Sequence, residues 1–336
     1  MLNNTLASII LQKGGSITPL LIDLPKEKFY REKTLALMNP SIFNDNGKLI
    51  LNMRTTNYIL YHSEKKLFQH QWGPLVYIHP ENDMHLRTEN YFCELDENTF
   101  EIKKSTWVDT KQHDKEPLWE FVGLEDARLV KWNEKLYMTG VRRDTTTNGQ
   151  GRMELCEIGI SENDVRELTR VRIDPPNDPN SYCEKNWMPF IDLPYHYVKW
   201  SNPTEVVKVD PNSGISKTVF LGKYMPFFRD FRGGSQVISF GDGYLAIVHE
   251  VSLFNNDVGR KDGIYYHRFL YWDKNFNLVK FSEDFSLMGA TIEFAVGICK
   301  YNTDFLISFG FSDNASYLMK VNQDFVKSLL IHEVPQ

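Results

Sequence analysis

The segment GLEDAR sets two carboxyls side by side, Glu125 and Asp126, with Arg128 two residues on. Burial disfavours a charged carboxylate and a neighbouring carboxylate disfavours it further, so such a pair can hold a proton above the usual acidic range. A carboxyl tuned in that way suits general acid work on a glycosidic oxygen. Further polar clusters fit the same chemistry. Arg54, Asn57 and Tyr58 lie in RTTNY, and Arg142, Arg143 and Asp144 in VRRD. Lys185, Asn186 and Trp187 lie in EKNW, Asn202 in SNP, Gly234, Ser235 and Gln236 in RGGSQ, and His249 and Glu250 in HEV. Planar multi-donor groups such as Arg, Asn and Gln match sugar hydroxyls. Arg142, Arg143, Lys185 and His249 form a cationic set of the kind that grips phosphate or a nucleotide diphosphate. Trp72, Trp119, Trp187 and Trp200 offer flat faces for a sugar ring, although core packing is the commoner role for each.

Metal or nucleotide-loop chemistry finds no support. The chain has no GxxxxGK[ST], GxGxxG, HExxH or DxD motif. The expectation is a protein without a cofactor, in which inorganic phosphate or a sugar phosphate enters as substrate and is held by side chains. Cys93, Cys156, Cys183 and Cys299 lack ligand spacing and read as buried thiols. The 336 residues carry a net charge of -6, which argues against a nucleic-acid partner held by bulk positive charge. No apolar run of about 18 residues exists, so no membrane span is expected. The stretch MLNNTLASIILQKGG lacks the basic flank and small-residue cleavage site of a secretory signal, which makes a cytoplasmic location the default.

The elements that must position these clusters read as strands. Short aromatic and β-branched runs alternate with Asn, Asp and Gly turns, and the aromatic share is high at 13%, as pleated sheets favour. One hairpin pattern recurs five times, at 40–54, 126–143, 187–203, 235–251 and 293–313, with a second hairpin after each, at 91–105, 154–171, 206–221, 268–282 and 318–330. Two hairpins make a four-stranded sheet, and five such sheets predict an all-β fold, a five-bladed β-propeller occupying 1–336 as one domain. Residues 1–36 precede the first copy and are expected as an extension or a closing strand. Singly, each polar cluster reads as a turn or a salt bridge. Their recurrence at corresponding ends of the first hairpins favours a shared polar pocket where innermost strands meet.

At GLEDARLV, KNW and the GGS…YLAIVHEV segment the sequence resembles glycoside hydrolase family 130, the inverting β-mannoside phosphorylases, which have β-mannosyltransferase relatives. The resemblance implies the same propeller. It implies that Asp126, in the place of the Asp of an EDPR-like motif, donates the proton through a sugar hydroxyl. Glu125 and Arg128 stand in matching places, with Ala127 where Pro is usual. It also matches Lys185-Asn186 to a Lys-Asn pair opening the third blade, Gly233-Gly234 to a Gly-rich start of the fourth, and His249 to a His closing that hairpin. The ordered motifs run from about Asn39 to His249. Basic residues usual in the family's phosphorylases are replaced by Asn202 and by SQVIS, which is similar to a divergent, transferase-like branch.

Three readings stay open. The first is an inverting enzyme that transfers or phosphorolyses β-mannosyl or similar residues, with Asp126 as acid. The second is a hydrolase, which needs another carboxylate about 6.5–9.5 Å away to activate water, with Glu205, Glu250 and Glu293 as candidates. The third is a non-catalytic propeller that binds glycan or protein. The expected enzyme partner is a small carbohydrate, and a homo-oligomer is left open.

Overall fold

The computed structural model describes residues 5–23, 36–60, 77–78, 85–226, 231–255 and 261–334. The structure is mostly β, with two seven-residue helices, Leu6–Gln12 and Gln323–Leu329. Asn and Gly turns fold consecutive strands back antiparallel. Asn46 and Gly47, between Ala36–Asp45 and Lys48–Thr56, both have positive φ, as tight hairpins require.

Five antiparallel units result. The first is Ala36–Asp45, Lys48–Thr56, Leu86–Leu95 and Ile102–Asp109. The second is Glu125–Trp132, Lys135–Arg142, Arg152–Ile160 and Val165–Arg172. The third is Met188–Pro189, His196–Ser201, Thr204–Val209 and Ser216–Leu221. In the fourth the inner edge is broken into Arg232–Gly233 and Ile238–Phe240. Gly243–Asn255, Lys261–Trp272 and Leu278–Phe281 follow, and His332–Glu333 adds a strand outside them. The fifth is Glu293–Tyr301, Asp304–Phe311 and Ala315–Asn322, completed by Ser16–Pro19 from the other end of the chain.

That last pairing corrects one expectation. The stretch 318–330 does not form a hairpin. Asn322 caps a helix, its side chain accepting from Asp324 N and Phe325 N, so Gln323–Leu329 turns away. The N-terminal strand fills the outer place instead.

The apolar residues divide among five clusters, each shared by two consecutive units. Phe43 and Phe92 meet Leu129 and Met138; Val130 and Trp132 meet Tyr197 and Val207; Val198 and Val206 meet Val248 and Leu270; Ile247 and Phe269 meet Ile298 and Phe309. The last cluster joins the fifth unit to the first, through Cys299 and Leu306 against Ile42 and Leu51. Each unit therefore packs against the next, and the fifth against the first. Inner strands are buried on both faces, which explains runs such as Leu49–Thr56 with no exposed residue. Truncating Phe269 or Phe309 to Ala would cost about 3–5 kcal/mol by the usual core penalty.

A polar hub ties the inner strands together. Gln236 is fully buried and donates to Ser41 Oγ, Ile42 O and Leu129 O, while its carbonyl accepts from Ile298 N. One side chain thus bonds the first, second and fifth units to the fourth. Ser308 adds a bond to Pro40 O and accepts from Ile42 N at 2.9 Å. The inner edges of the third and fourth units bridge directly, Val237 N donating to Pro189 O and Ile191 N to Val237 O, while at the hub side chains satisfy the backbone groups of the other inner strands.

Candidate functional site

Three inner strands open on the same backbone device. Asn39, Asp126 and Asn186 have φ of 49°, 50° and 61°. Asn39 lies inside Ala36–Asp45, Asp126 is the second residue of Glu125–Trp132 and Asn186 precedes Met188–Pro189, so all three sit near the start of an inner strand. Left-handed backbone disfavours most side chains and is best tolerated by Asn and Asp. At Asn39 and Asp126 the strand register shifts, as at a bulge, which re-aims the side chain. The result brings Asn39 Nδ2 to 2.8 Å from Asp126 Oδ1.

Arg54 approaches Asp126 Oδ1 at 2.7 Å, gives a second nitrogen to Tyr58 Oη at 2.7 Å, and is braced by Thr88 Oγ1. Glu125 lies 3.8 Å from the same guanidinium. Asp126 is only 8% exposed. Burial pushes its carboxyl up, but the charges of Arg54 and Arg128, the Asn39 hydrogen bond and Lys185 outweigh it and hold the carboxyl below the usual range. The direction is opposite to that expected from the adjacent carboxyls. The cations and the Asn39 hydrogen bond supply more than burial removes, so Asp126 is ionised. Burial alone would lower Arg54, but Tyr58, Asp126, Glu125 and Asp313 more than offset it.

Arg128 lies beneath Asp126 and is fully buried. It donates to Gly234 O, Asp126 O and Asn186 Oδ1, and its guanidinium lies 5.6 Å from the Phe294 ring centre. Burial pushes it down to about 10, with Asp126 opposing, so it remains a cation at neutral pH. Gly233 and Gly234 have a steric role: a Cβ on Gly233 would meet Asn186 O at 1.8 Å, and one on Gly234 would meet Ile247 O at 2.4 Å.

His249 is buried, stacks on Tyr265 with ring centres 5.6 Å apart, and meets Phe294 edge-on. Burial, then the positive surroundings of His267, Arg232, Lys185 and Arg128, drive it well below its usual range. It is therefore neutral, not a cation. Lys185 and Arg232 are exposed, and their charges act on His249, that of Lys185 also on Asp126.

The remaining expected residues go elsewhere. Arg142 does not join the anion set: it is locked to Glu154 at 2.7 Å and Asp144 at 3.2 Å. Asp144 accepts from Gly123 N, fixing the turn before Glu125. Arg143 donates to Gly149 O and covers the Tyr182 ring. Successive residues of a strand face opposite ways, so the two arginines separate. Trp187 is a core residue, bonded to Glu184 and not available to a sugar face. Ser235 and Gln236 bond backbone in the hub and Gly234 packs against it. Asn57 spans His85 O and Arg87 N, and Asn202 spans Met225 O and Met225 N. Trp119 covers Gly149, Trp200 is 41% exposed on the third unit, and Trp72 lies outside the described residues.

Two of the three candidate second carboxylates are already engaged. Glu205 accepts from Thr218 and Asn177 and pairs with Lys199, and Glu293 accepts from Leu287, Met288 and Ala290 N–H. Glu250 is half-buried beside His249. Asn39, Tyr265 and Asp313 join the site without having been singled out. Asn39 alone had a visible signal, since Asn39-Pro40-Ser41 opens the first unit as Asp126-Ala127-Arg128 opens the second.

Among the described residues no helix is long and apolar enough to cross a membrane, and no group of three His, Cys, Asp or Glu is placed to hold a metal ion. No family profile and no curated protein matches the sequence. Solved structures do match. One is reported under the finding that the mannoside phosphorylases of glycoside hydrolase family 130 include hydrolases targeting β-1,2 mannosidic linkages in Candida mannan. It has a TM-score of 0.59 at 14% identity and covers 92% of this chain and 94% of its own. The β-1,2-mannobiose phosphorylase of Listeria innocua, in complex with β-1,2-mannobiose, gives 0.54 at 12% identity over 94% and 96%. A mannose phosphorylase of Leishmania mexicana, in complex with phosphate, gives 0.51 at 10% identity over 98% and 95%. The chain has the fold of these glycoside hydrolase family 130 mannoside phosphorylases and hydrolases.

Proposed function

We propose that this chain is an inverting carbohydrate-active enzyme, a single five-bladed β-propeller that transfers a β-mannosyl or similar residue between phosphate and a sugar hydroxyl. The observation that carries the reading is the Asp126 carboxylate, buried where three units meet, set on left-handed backbone and held charged by Arg54. Strained backbone and a buried charge are tolerated where function requires them. The binding of β-1,2-mannobiose and of phosphate by structures of the same fold supports the choice of substrates.

An ionised Asp126 suits the synthetic direction. The acceptor hydroxyl attacks the anomeric carbon from the face opposite the phosphate. The new C–O bond forms as the bond to phosphate breaks, and phosphate leaves with the electron pair. Asp126 takes the acceptor's proton, directly or through a sugar hydroxyl. One displacement inverts the anomeric centre, so an α-phosphate gives a β-linkage. In reverse, phosphate attacks and Asp126 returns the proton. Only one protein carboxylate is needed because phosphate is itself the nucleophile. We assign the phosphate to Lys185 and Arg232, whose charges act on His249 beside the site, because Arg142 and Arg143 are engaged elsewhere.

Hydrolysis is less well supported, because Glu205 and Glu293 are committed to local hydrogen bonds. A purely binding role fits poorly with an acidic group this deeply placed. The test is phosphate release from α-mannose 1-phosphate with and without mannose as acceptor. Transfer predicts release only with acceptor. Release without it indicates hydrolysis, and the absence of both phosphate release from this donor and GDP release from GDP-mannose sinks the reading.

A further inference from the structure

The chain between the first and second units, 110–124, supplies much of the lining of a cleft before it reaches Glu125. Val108, which lines the cleft, pairs with Val165 where the outer strands of the first two units meet. The cavity has a volume of about 610 Å³, within the range that holds a small ligand. Neither Asp126 nor Arg54 lines it.

We propose that this cleft is a second carbohydrate site, taking an uncharged sugar or short glycan. The proposal rests on the carbohydrate reading above for its ligand class. Its wall combines two kinds of surface. Trp107, Val108, Leu124, Met138 and Ile158 give apolar and aromatic area. Arg142, Arg170 and Arg172 alternate with Asp144, Glu154 and Glu167. An anion or a cation would meet its own sign on part of this wall. Hydroxyls donate and accept, so a sugar meets both signs without carrying charge. One donor also lacks an acceptor: Arg172 Nη1 is buried with no hydrogen-bond partner among the described residues and stands 3.9 Å from Glu154 Oε1. Buried donors are normally bonded, so an oxygen beside Arg172 is expected when the cleft is filled.

The cleft also touches the catalytic side. Thr88, which braces Arg54, and Asp144, which fixes Gly123, both line it. A sugar here presses on the segment leading into Asp126.

The test counts binding sites. D-mannose and β-1,2-mannobiose are titrated by ligand-observed NMR into the full chain, into Arg54→Met and into Arg172→Met, and crystals of the unmodified protein are soaked in D-mannose. Two sites are expected, one lost in Arg54→Met. The other is weakened about tenfold in Arg172→Met, the usual scale of one charged hydrogen bond, with sugar density in the cleft. A single site that Arg172→Met leaves unchanged, with no density in the cleft, overturns the proposal while leaving the central site standing. Inorganic phosphate displacing sugar from the cleft also overturns it. No sugar bound anywhere sinks both readings.

Discussion

The hub around Gln236 and the mouth around Asp126 are both buried and both polar, yet they are built in opposite ways. At the hub, side chains bond backbone: Gln236 meets two backbone carbonyls and an N–H, and Ser308 meets a carbonyl and an N–H. The backbone there is ordinary. At the mouth, charged side chains bond each other on left-handed backbone, Asp126 to Arg54 and Asn39. The difference separates two reasons for burying polarity. Bonds to backbone tie the units together. A carboxylate held ionised by neighbouring cations is in the form that can accept a proton.

The sharpest way to break this contrast is to neutralise each centre in turn. Asp126→Asn keeps the shape and removes the base. Transfer from α-mannose 1-phosphate should fall about 10²–10⁴-fold, the scale of general acid–base catalysis, while circular dichroism shows an unchanged β spectrum. Gln236→Leu should do the reverse. It strands several buried partners at about 1–3 kcal/mol each, so urea unfolding should show a loss of about 3 kcal/mol or more.

A smaller effect follows from the buried histidines. His249 is held well below its usual range and His267 is pushed down to about 3, burial leading in each case. The unfolded chain takes up these protons near pH 6.5 while the folded chain resists, so stability falls as pH drops below that point. The slope is roughly 1.4 kcal/mol per pH unit for each group. His267→Phe should remove one share of it in urea titrations between pH 6.5 and 4. Asp126 works in a lower window, because its folded value is depressed: its contribution is present above the ordinary carboxylate range and lost only on further acidification. The smallest effect belongs to Arg143→Met. Arg143 sits apart from Asp126, so stability should change by less than about 0.5 kcal/mol and transfer should be unaffected. A large loss of transfer would return Arg143 to the phosphate grip.

The hairpins were legible because their signals are local: alternating apolar residues and Asn, Asp or Gly at turns. The outer strand of the fifth unit was not, because Ser16–Pro19 reaches it from the opposite end of the chain. Asp126 could be read from its neighbour Glu125 and from the GLEDAR segment. Its proton affinity could not, since Arg54 and Asn39 belong to another unit and appear beside it only when the two units pack together. Likewise, Gln236 and Asn186 are both buried amides, and only their partners distinguish a hub residue from a mouth residue.

The central claim is that the Asp126 carboxylate accepts the proton in a single inverting displacement. Following the anomeric proton by NMR during reaction of α-mannose 1-phosphate with mannose tests it directly. The account predicts a β-linked product from the first turnovers and almost none from Asp126→Asn. An α-linked product, or an equal rate from the variant, would contradict it.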